Sequence, residues 1–345
     1  MIHNIRPTAA RPTSDRHVPA DLVRTVSAHL PDAALTEPVL DERFARAAWT
    51  HISDPGDRLA WDVIEKLGAR TALDAVRNHW HPEQLLEALG ADEAFTLARV
   101  AEGIERWGRR FDTEAIIQAL ARATHLGASL ITPADAEWPS GLRDLGHDEP
   151  LALWAHGNID ALRGVNGAIT VTGARAATSY GEDVTAALVG GLADRGFTIA
   201  SGGAYGIEGT AHRAALSARG TTIAVLAGGV DRPYPAGHLD LFQRIARSGA
   251  VVSQLPCGAA PTRWRFLTRN RILAAMSGST LVTEAGARSG SLNLALSAIS
   301  LGRPLAAVPG PISSPTSAGC HRLIRDHGAA LVTSPEDFLA SAGRH

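Results

Sequence analysis

The chain has 345 residues, enough for two or three domains with a full core, and its 45% apolar and 20% charged residues are typical of a globular protein. The formal net charge is −2, and the two cysteines, Cys257 and Cys320, give neither a disulfide framework nor metal-ligand spacing. No run approaches the roughly 18 apolar residues of a membrane span. We therefore expect a cytoplasmic protein without a membrane segment, bound metal or cofactor. Lys66 is the only lysine, which excludes a phosphate-binding loop of the Gly-Lys-Ser/Thr type.

The first part of the chain reads as helical. Residues 1–38 lack the apolar stretch of a signal peptide and predict a flexible tail. Residues 39–128 have helical apolar spacing, and Gly68 separates two short helical runs, which predicts a small all-α domain of the helix-hairpin-helix or SAM-like kind. Such a hairpin either touches the DNA backbone or packs against a partner, and the mixed charges around it leave both open.

A change of pattern follows a Pro-, Asp- and Gly-rich connector predicted at residues 129–165. From 166 to 340, β-rich runs alternate with amphipathic helices, which predicts the α/β class with a Rossmann-like, doubly wound, mostly parallel sheet. The six predicted strands lie at 168–172, 197–200, 221–226, 250–253, 279–283 and 304–308.

The loops after these strands are rich in glycine, serine and arginine. In doubly wound sheets ligands bind at the carboxyl ends of the strands, so these loops form one edge suited to phosphate. We expect Arg175 to contact the ligand, because it follows a strand end with no obvious acidic partner, whereas His212 is expected to pack within its helix. The loops in question are 173–181, 201–206, 228–229 and 284–291.

The most basic segment is 261–271, Pro-Thr-Arg-Trp-Arg-Phe-Leu-Thr-Arg-Asn-Arg. It lies in a stretch, between Asp240 and Asp326, in which Glu284 is the only acid and ten arginines occur. The pattern predicts a helix capped by Thr268, with residues 269–271 in its first turn beside free N–H groups, where phosphate oxygens are held. Trp264 and Phe266 offer stacking surfaces for bases.

Six motifs, in order and spacing, resemble the DNA-processing protein A (DprA or Smf) family, and the resemblance spans residues 41–339. It implies a cytoplasmic, non-enzymatic protein that binds single-stranded DNA, usually as a homodimer, and loads RecA recombinase on it, notably during natural transformation. The motifs lie at 173–181, 201–212, 224–235, 266–271, 288–291 and 308–311.

Carried over residue by residue, the resemblance implies a DNA pocket that contains the acid-poor segment and the glycine-rich loops. Arg271 joins this set from the predicted first turn of the basic helix. Three positions depart from the family pattern, namely Tyr205, Glu208 and Gln254, and the winged-helix domain that some members append is not expected here. The predicted DNA-binding residues are Arg175, Ser201, Gly202, Arg263, Phe266, Arg269, Asn270, Arg271, Ser289 and Ser291.

Two alternatives remain open. One is a Rossmann-like nucleotide enzyme, such as a nucleoside-monophosphate phosphoribohydrolase, with Glu284 as the general acid or base. The signature Pro-Gly-Gly-x-Gly-Thr-x-x-Glu of those enzymes is absent. The other is a protein that binds only a protein partner through its helical domain, which leaves the basic segment unexplained.

Overall fold

The structure, a computed structural model, describes residues 19–90 and 94–343. Residues 1–18 of the predicted flexible tail lie outside the described residues, whereas 19–38 contain a short helix with Val23 buried in it and Val26 buried directly after it. Helices occupy the described residues before 128: α1 (Ala20–Thr25), α2 (Glu37–Ile52), α3 (Arg58–Leu67), α4 (Ala69–Arg77), α5 (Pro82–Leu89), α6 (Leu97–Arg110) and α7 (Thr113–Leu126).

The predicted helix pair around Gly68 is confirmed. Asp57 caps α3 by accepting the N–H of Ala60, and Gly68, at a φ of +81°, turns the chain directly into α4. Glycine adopts this positive φ without the steric cost of a side chain. Trp49 of α2 and Trp107 of α6 meet edge to face with their ring centroids 5.0 Å apart, so that these helices share one core.

One sheet of nine strands organises the rest of the described chain, in the order β1-β2-β6-β5-β4-β3-β7-β8-β9. The seven strands from β3 onwards pair in parallel, whereas β1 and β2 are antiparallel, so the predicted mostly parallel sheet and its six strands are confirmed. The strands are β1 (Ala128–Ile131), β2 (Leu153–Gly157), β3 (Ile169–Gly173), β4 (Ile199–Ser201), β5 (Thr222–Val225), β6 (Ala250–Ser253), β7 (Ser279–Glu284), β8 (Leu305–Ala307) and β9 (Ala330–Leu331).

Helices cover both faces of this sheet, as a doubly wound fold requires. Apolar side chains of α8, α9 and α14 pack on one face, and those of α11 and α12 pack on the other. The helices are α8 (Ser179–Asp194), α9 (Ile207–Ser217), α10 (Leu239–Ser248), α11 (Arg263–Met276), α12 (Ser291–Ser300), α13 (Ala318–His327) and α14 (Pro335–Ser341). Within the described ranges, no helix is both long and apolar enough to span a bilayer.

The segment predicted as a connector contributes β2 and most of β1 to the sheet edge. Arg43 of α2 reaches across to this segment, where its guanidinium donates to both carboxylate oxygens of Asp135 at 2.8 and 3.0 Å. The Asp135 carboxylate is buried, yet the hydrogen bonds and charge of His29 and Arg43 outweigh this burial and hold its pKa well below the usual range. The helical part and the sheet are thus joined by a buried ion pair.

The order of the strands fixes where a ligand can bind. The chain runs outward from β3 through β4, β5 and β6, and then returns to place β7 on the other side of β3. The strand order therefore reverses between β3 and β7. In doubly wound folds the crevice at this reversal, beyond the carboxyl ends of the strands, is where ligands bind.

Candidate nucleic-acid interface

An open groove of about 720 Å³ lies at the carboxyl ends of β3 and β7. One wall is α11, and the other consists of the loops after β3 and β7 together with the first turn of α9. We call it the arginine groove, and its lining residues are Thr172, Gly173, Arg175, Glu208, Arg263, Phe266, Leu267, Arg269, Asn270, Arg288, Ser289, Gly290 and Ser291.

The position of α11 corrects one sequence prediction. The predicted helix start after Thr268 is wrong, because the helix begins at Arg263 and its N-cap is Thr262, whose Oγ1 accepts the N–H of Arg265. Thr268 lies inside the helix and donates to the Arg265 carbonyl at 3.1 Å. The two threonines carry the same capping signal in the sequence, and the helix extends to the earlier one. Arg269 consequently lies within the helix and not beside free N–H groups.

Helical spacing explains which side chains of α11 reach the groove. Arg263, Phe266, Leu267 and Asn270 stand at positions i, i+3, i+4 and i+7, so they share one face. Arg271 lies on another side, exposed, where it donates to Asp148 at 2.5 Å. The structure therefore does not bring Arg271 into the groove.

Arg269 is buried and forms an ion pair at the floor of the groove. Its Nη1 lies 3.5 Å from Glu208 Oε2 and donates to the Val225 carbonyl at 3.4 Å. Gly202 makes this possible, since a Cβ at that position would overlap the Arg269 guanidinium. Gly202 thus acts through Arg269 and is not itself a lining residue.

Glu208 is the carboxylate among the lining residues, and its surroundings keep it ionised. Burial alone would raise the pKa of Glu208, but the charge of Arg269 and hydrogen bonds from Ala204 N and Thr172 Oγ1 lower it below its usual value. A carboxylate with a lowered pKa is ionised at neutral pH, so it balances Arg269 and leaves the other arginines of the groove uncompensated.

Three arginines supply that uncompensated charge. Arg175, Arg263 and Arg288 are exposed, and none of them pairs with an acidic side chain within the described part of the chain. They come from three separate elements, namely the loop after β3, the first turn of α11 and the loop after β7. Converging guanidinium groups with free donors are suited to several oxygens of a polyanion.

Phe266 lies among these charges. The Arg175 guanidinium stands 5.0 Å from the centre of its ring and the Arg269 guanidinium 5.7 Å, while the Tyr234 ring meets it edge to face at 6.0 Å. Cation–π contacts of this kind orient the ring and the arginines together. Trp264, the other aromatic of the segment, is 58% exposed and does not line the groove.

Amide and hydroxyl groups of α11 and of the loop after β7 complete the lining of the groove. Asn270 donates weakly to Gly290 O at 3.4 Å and to Asn293 Oδ1 at 3.3 Å, which ties α11 to the loop after β7. The hydroxyl oxygens of Ser289 and Ser291 lie 2.7 Å apart at the start of α12. These groups can donate to a ligand with little rearrangement.

Two other predicted residues have structural contacts. The Ser201 hydroxyl is fully buried and donates to the Val171 carbonyl at 2.6 Å, so it ties β4 to β3 and does not line the groove. His212 is buried, as expected, with its Nδ1 2.7 Å from Thr222 Oγ1. Burial lowers the pKa of His212 to about 3.

Glu284, the candidate acid or base of the enzyme alternative, is bound to the N-cap residue of α8. Its carboxylate accepts the N–H of Thr178 at 2.9 Å and the Thr178 hydroxyl at 2.7 Å. Thr178 is the N-cap of α8, and Glu284 is buried behind it and outside the lining of the groove.

Glu208 and Arg288 line the groove but were not among the predicted binding residues. A signal for both exists in the sequence, since Glu208 follows β4 in the first turn of α9 and Arg288 follows β7. The rule that ligands bind at the carboxyl ends of parallel strands points to such positions. The rule does not say which side chain is paired. Glu208 neutralises the buried Arg269 whereas Arg288 has no acidic partner, and this difference depends on tertiary contacts.

The family model described as DNA recombination-mediator protein A matches residues 129–343. The chain belongs to this family. A putative DNA processing protein DprA of Mycobacterium tuberculosis is 44% identical over 311 residues, which cover 86% of this chain and 75% of that protein. Protein Smf of Escherichia coli is 42% identical over 210 residues, covering 61% of this chain and 55% of the relative.

Solved structures of DNA processing protein A share the fold. The protein from Streptococcus pneumoniae superposes with a TM-score of 0.68 and 29% identity, covering 87% of this chain and 97% of its own. The protein from Helicobacter pylori superposes with a TM-score of 0.58 and 27% identity, over 64% of this chain and 99% of its own, and that structure concerns a mode of single-stranded DNA binding. The resemblance seen in the motifs of DNA-processing protein A is confirmed.

Proposed function

We propose that the arginine groove binds single-stranded DNA. The observation that carries this proposal is the convergence of Arg175, Arg263 and Arg288 on a groove whose lining carboxylate is already neutralised by Arg269. The arginines would hold successive phosphates, and Phe266 would stack on a base without reading its identity. The DNA-binding relative from Helicobacter pylori supports this choice of ligand.

We further propose that the bound strand is handed to RecA recombinase and that the protein acts as a homodimer in the cytoplasm. Membership of a family of DNA recombination mediators supports the first part, and the motif resemblance supports the rest. A role in natural transformation would follow if the host takes up DNA.

We infer that the groove performs no catalysis. A general acid or base needs a pKa near the working pH and access to the substrate. Glu208 has a lowered pKa and three partners, and the buried Glu284 carboxylate is bound to Thr178 outside the lining of the groove. Incubation with a nucleoside monophosphate should therefore release no free base. Release that disappears in Glu208→Gln or Glu284→Gln would establish the enzyme alternative instead.

The test of the proposed ligand is a comparison of single and double strands. Labelled oligothymidine and a duplex of equal length would be titrated with the protein across a salt series. If about four phosphates are engaged, the slope of log K against log salt is about −3 for the single strand. The proposal expects tighter binding of the single strand. Equal binding of both, or no binding at low salt, would overturn it.

Delivery to RecA would be measured as the rate at which RecA filaments form on strands coated with this protein. Faster filament formation than on strands without the protein supports the mediator role. Binding to RecA without any binding to DNA would instead support the alternative of a protein-only partner acting through the helical domain.

A further inference from the structure

A second basic cavity, of about 380 Å³, lies between the helical part and the sheet. We call it the interdomain cavity. Three arginines from three elements line it: Arg110 at the end of α6, Arg122 in α7 and Arg265 in the first turn of α11. The backbone that follows β6, at 256–259, closes its other side.

The charge in the interdomain cavity is only partly balanced. Asp54 pairs with Arg110 at 2.8 Å, and Arg265 donates to the Ala260 carbonyl at 2.6 Å. Arg122 is exposed and has no ion pair within the residues that the structure describes. Three guanidinium groups therefore face one lining carboxylate.

The remaining charges near the cavity are held by other contacts. Both carboxylate oxygens of Asp231 accept the N–H of Gly258, at 2.8 and 3.0 Å, from behind the backbone of 256–259. Burial holds the pKa of His51 below its usual value, although the charge of the nearby Asp112 acts in the opposite direction. Burial lowers the pKa of Arg265 as well, with Arg110 acting in the same direction and Asp54 against it. An anion bound in the cavity would favour the charged form of Arg265 and so offset the cost of its burial.

The first turn of α11 separates the interdomain cavity from the arginine groove. Arg263 lines the groove and Arg265 lines the cavity, because two residues along a helix turn about 200°. Trp264 lies between them and is 58% exposed. The Thr262 hydroxyl accepts the N–H of Arg265, whereas the N–H groups of Arg263 and Trp264 have no intrahelical partner, which makes the start of α11 favourable to phosphate.

We propose that the interdomain cavity binds a phosphate group of the DNA strand that leaves the arginine groove, with Trp264 beside the strand where it crosses α11. This inference rests on the proposed function of the groove. It adds a second contact region, and it gives the helical part a direct share in DNA binding through Arg110 and Arg122. Phosphate is the shared chemistry of a DNA strand and of free inorganic phosphate, and the test separates the two.

The experiment compares a short oligothymidine of about 5 nucleotides, which fits one site, with a long one of about 20 nucleotides, which can reach both. Each is titrated across a salt series with wild type and with Arg122→Ala. The variant should reduce the slope for the long strand by about 0.7, the value for one lost phosphate contact, and leave the short strand unchanged. Arg122→Lys keeps the charge and should restore the slope.

Arg109→Ala is the matched control, because it removes the same charge from the neighbouring, exposed end of α6, where Arg109 pairs with Glu105 outside the cavity. It should behave as wild type with both strands. The short strand also reports that Arg122→Ala is folded.

Failure of the second site can be distinguished from failure of the proposed function of the groove. Wild type that binds neither strand refutes the groove itself. Binding of both strands with no effect of Arg122→Ala overturns the second site alone, as does an equal loss for both lengths. A last experiment adds inorganic phosphate alone and measures the unfolding temperature. If phosphate raises the unfolding temperature of wild type but not of Arg122→Ala, and strand length has no effect, the cavity holds free phosphate and the strand proposal is wrong.

Discussion

Gly202→Ala tests how the floor of the arginine groove is built. The added Cβ would overlap Nη1 and Cζ of Arg269 and lie 2.6 Å from its Nη2, so the guanidinium must move away. Gly202 is not one of the described glycines with a positive φ, so an alanine at this position carries no backbone strain. The cost therefore comes from the displaced arginine.

The magnitude follows from the contacts that Arg269 loses. Nη1 now lies 3.5 Å from Glu208 Oε2. A shift of about 2 Å weakens their attraction from about 5 to about 3 kcal/mol at an effective dielectric constant of about 20. Loss of the hydrogen bond to Val225 adds about 1 kcal/mol. The lower chain entropy of unfolded alanine returns about 0.5–1 kcal/mol, so the free energy of unfolding should fall by about 2–2.5 kcal/mol.

The assay is urea unfolding followed by tryptophan fluorescence. Gly190→Ala is the control, since Gly190 lies in α8 with open space around its Cβ position, and its free energy of unfolding should rise by about 0.5–1 kcal/mol. In an Arg269→Met background, Gly202→Ala should cost far less, because the clash and the ion pair are both absent. Equal effects of Gly202→Ala with and without Arg269 would refute this account of the floor.

Three further predictions concern single residues. Ser201→Ala should lower the free energy of unfolding by about 1–3 kcal/mol, because it leaves the Val171 carbonyl without its hydroxyl partner. Its affinity for oligothymidine should be unchanged, and a large loss of affinity would place Ser201 in contact with DNA. Thr262→Ala should cost about 1 kcal/mol of unfolding free energy as a lost N-cap, and no change in urea midpoint would speak against this helix start. The pKa of His212 is about 3 when folded and 6.5 ordinarily, so the unfolded chain binds a proton first as pH falls. Between pH 7 and 5 the free energy of unfolding should drop by about 2 kcal/mol more in wild type than in His212→Gln, and an equal drop in both would contradict a buried neutral imidazole.

Much of the fold was predictable because it depends on local signals. Apolar runs bounded by glycine placed the six central strands, and the turn at Gly68 placed α3 and α4. The edge strand β1 and its neighbour β2 were harder, since they lie in a Pro- and Gly-rich segment and are defined by antiparallel pairing of β2 with β1 and with β6. Pairing between distant segments leaves little trace in a single sequence.

The basic segment shows where sequence reasoning reaches its limit. Charge composition indicated an anion site near α11, but Thr262 and Thr268 are equivalent caps by residue type, and only packing selects the first. That choice turns Arg271 towards Asp148 and buries Arg269 against Glu208. Which arginine is free and which is neutralised depends on partners far apart in the chain.

The most direct test of the central claim compares two arginines of one helix. Arg263→Ala removes an unpaired charge from the arginine groove, whereas Arg271→Ala removes an exposed charge that already pairs with Asp148. With oligothymidine across a salt series, Arg263→Ala should reduce the slope of log K against log salt by about 0.7, and Arg271→Ala should leave it unchanged. A slope that falls only in Arg271→Ala would contradict the claim that the strand lies in the groove.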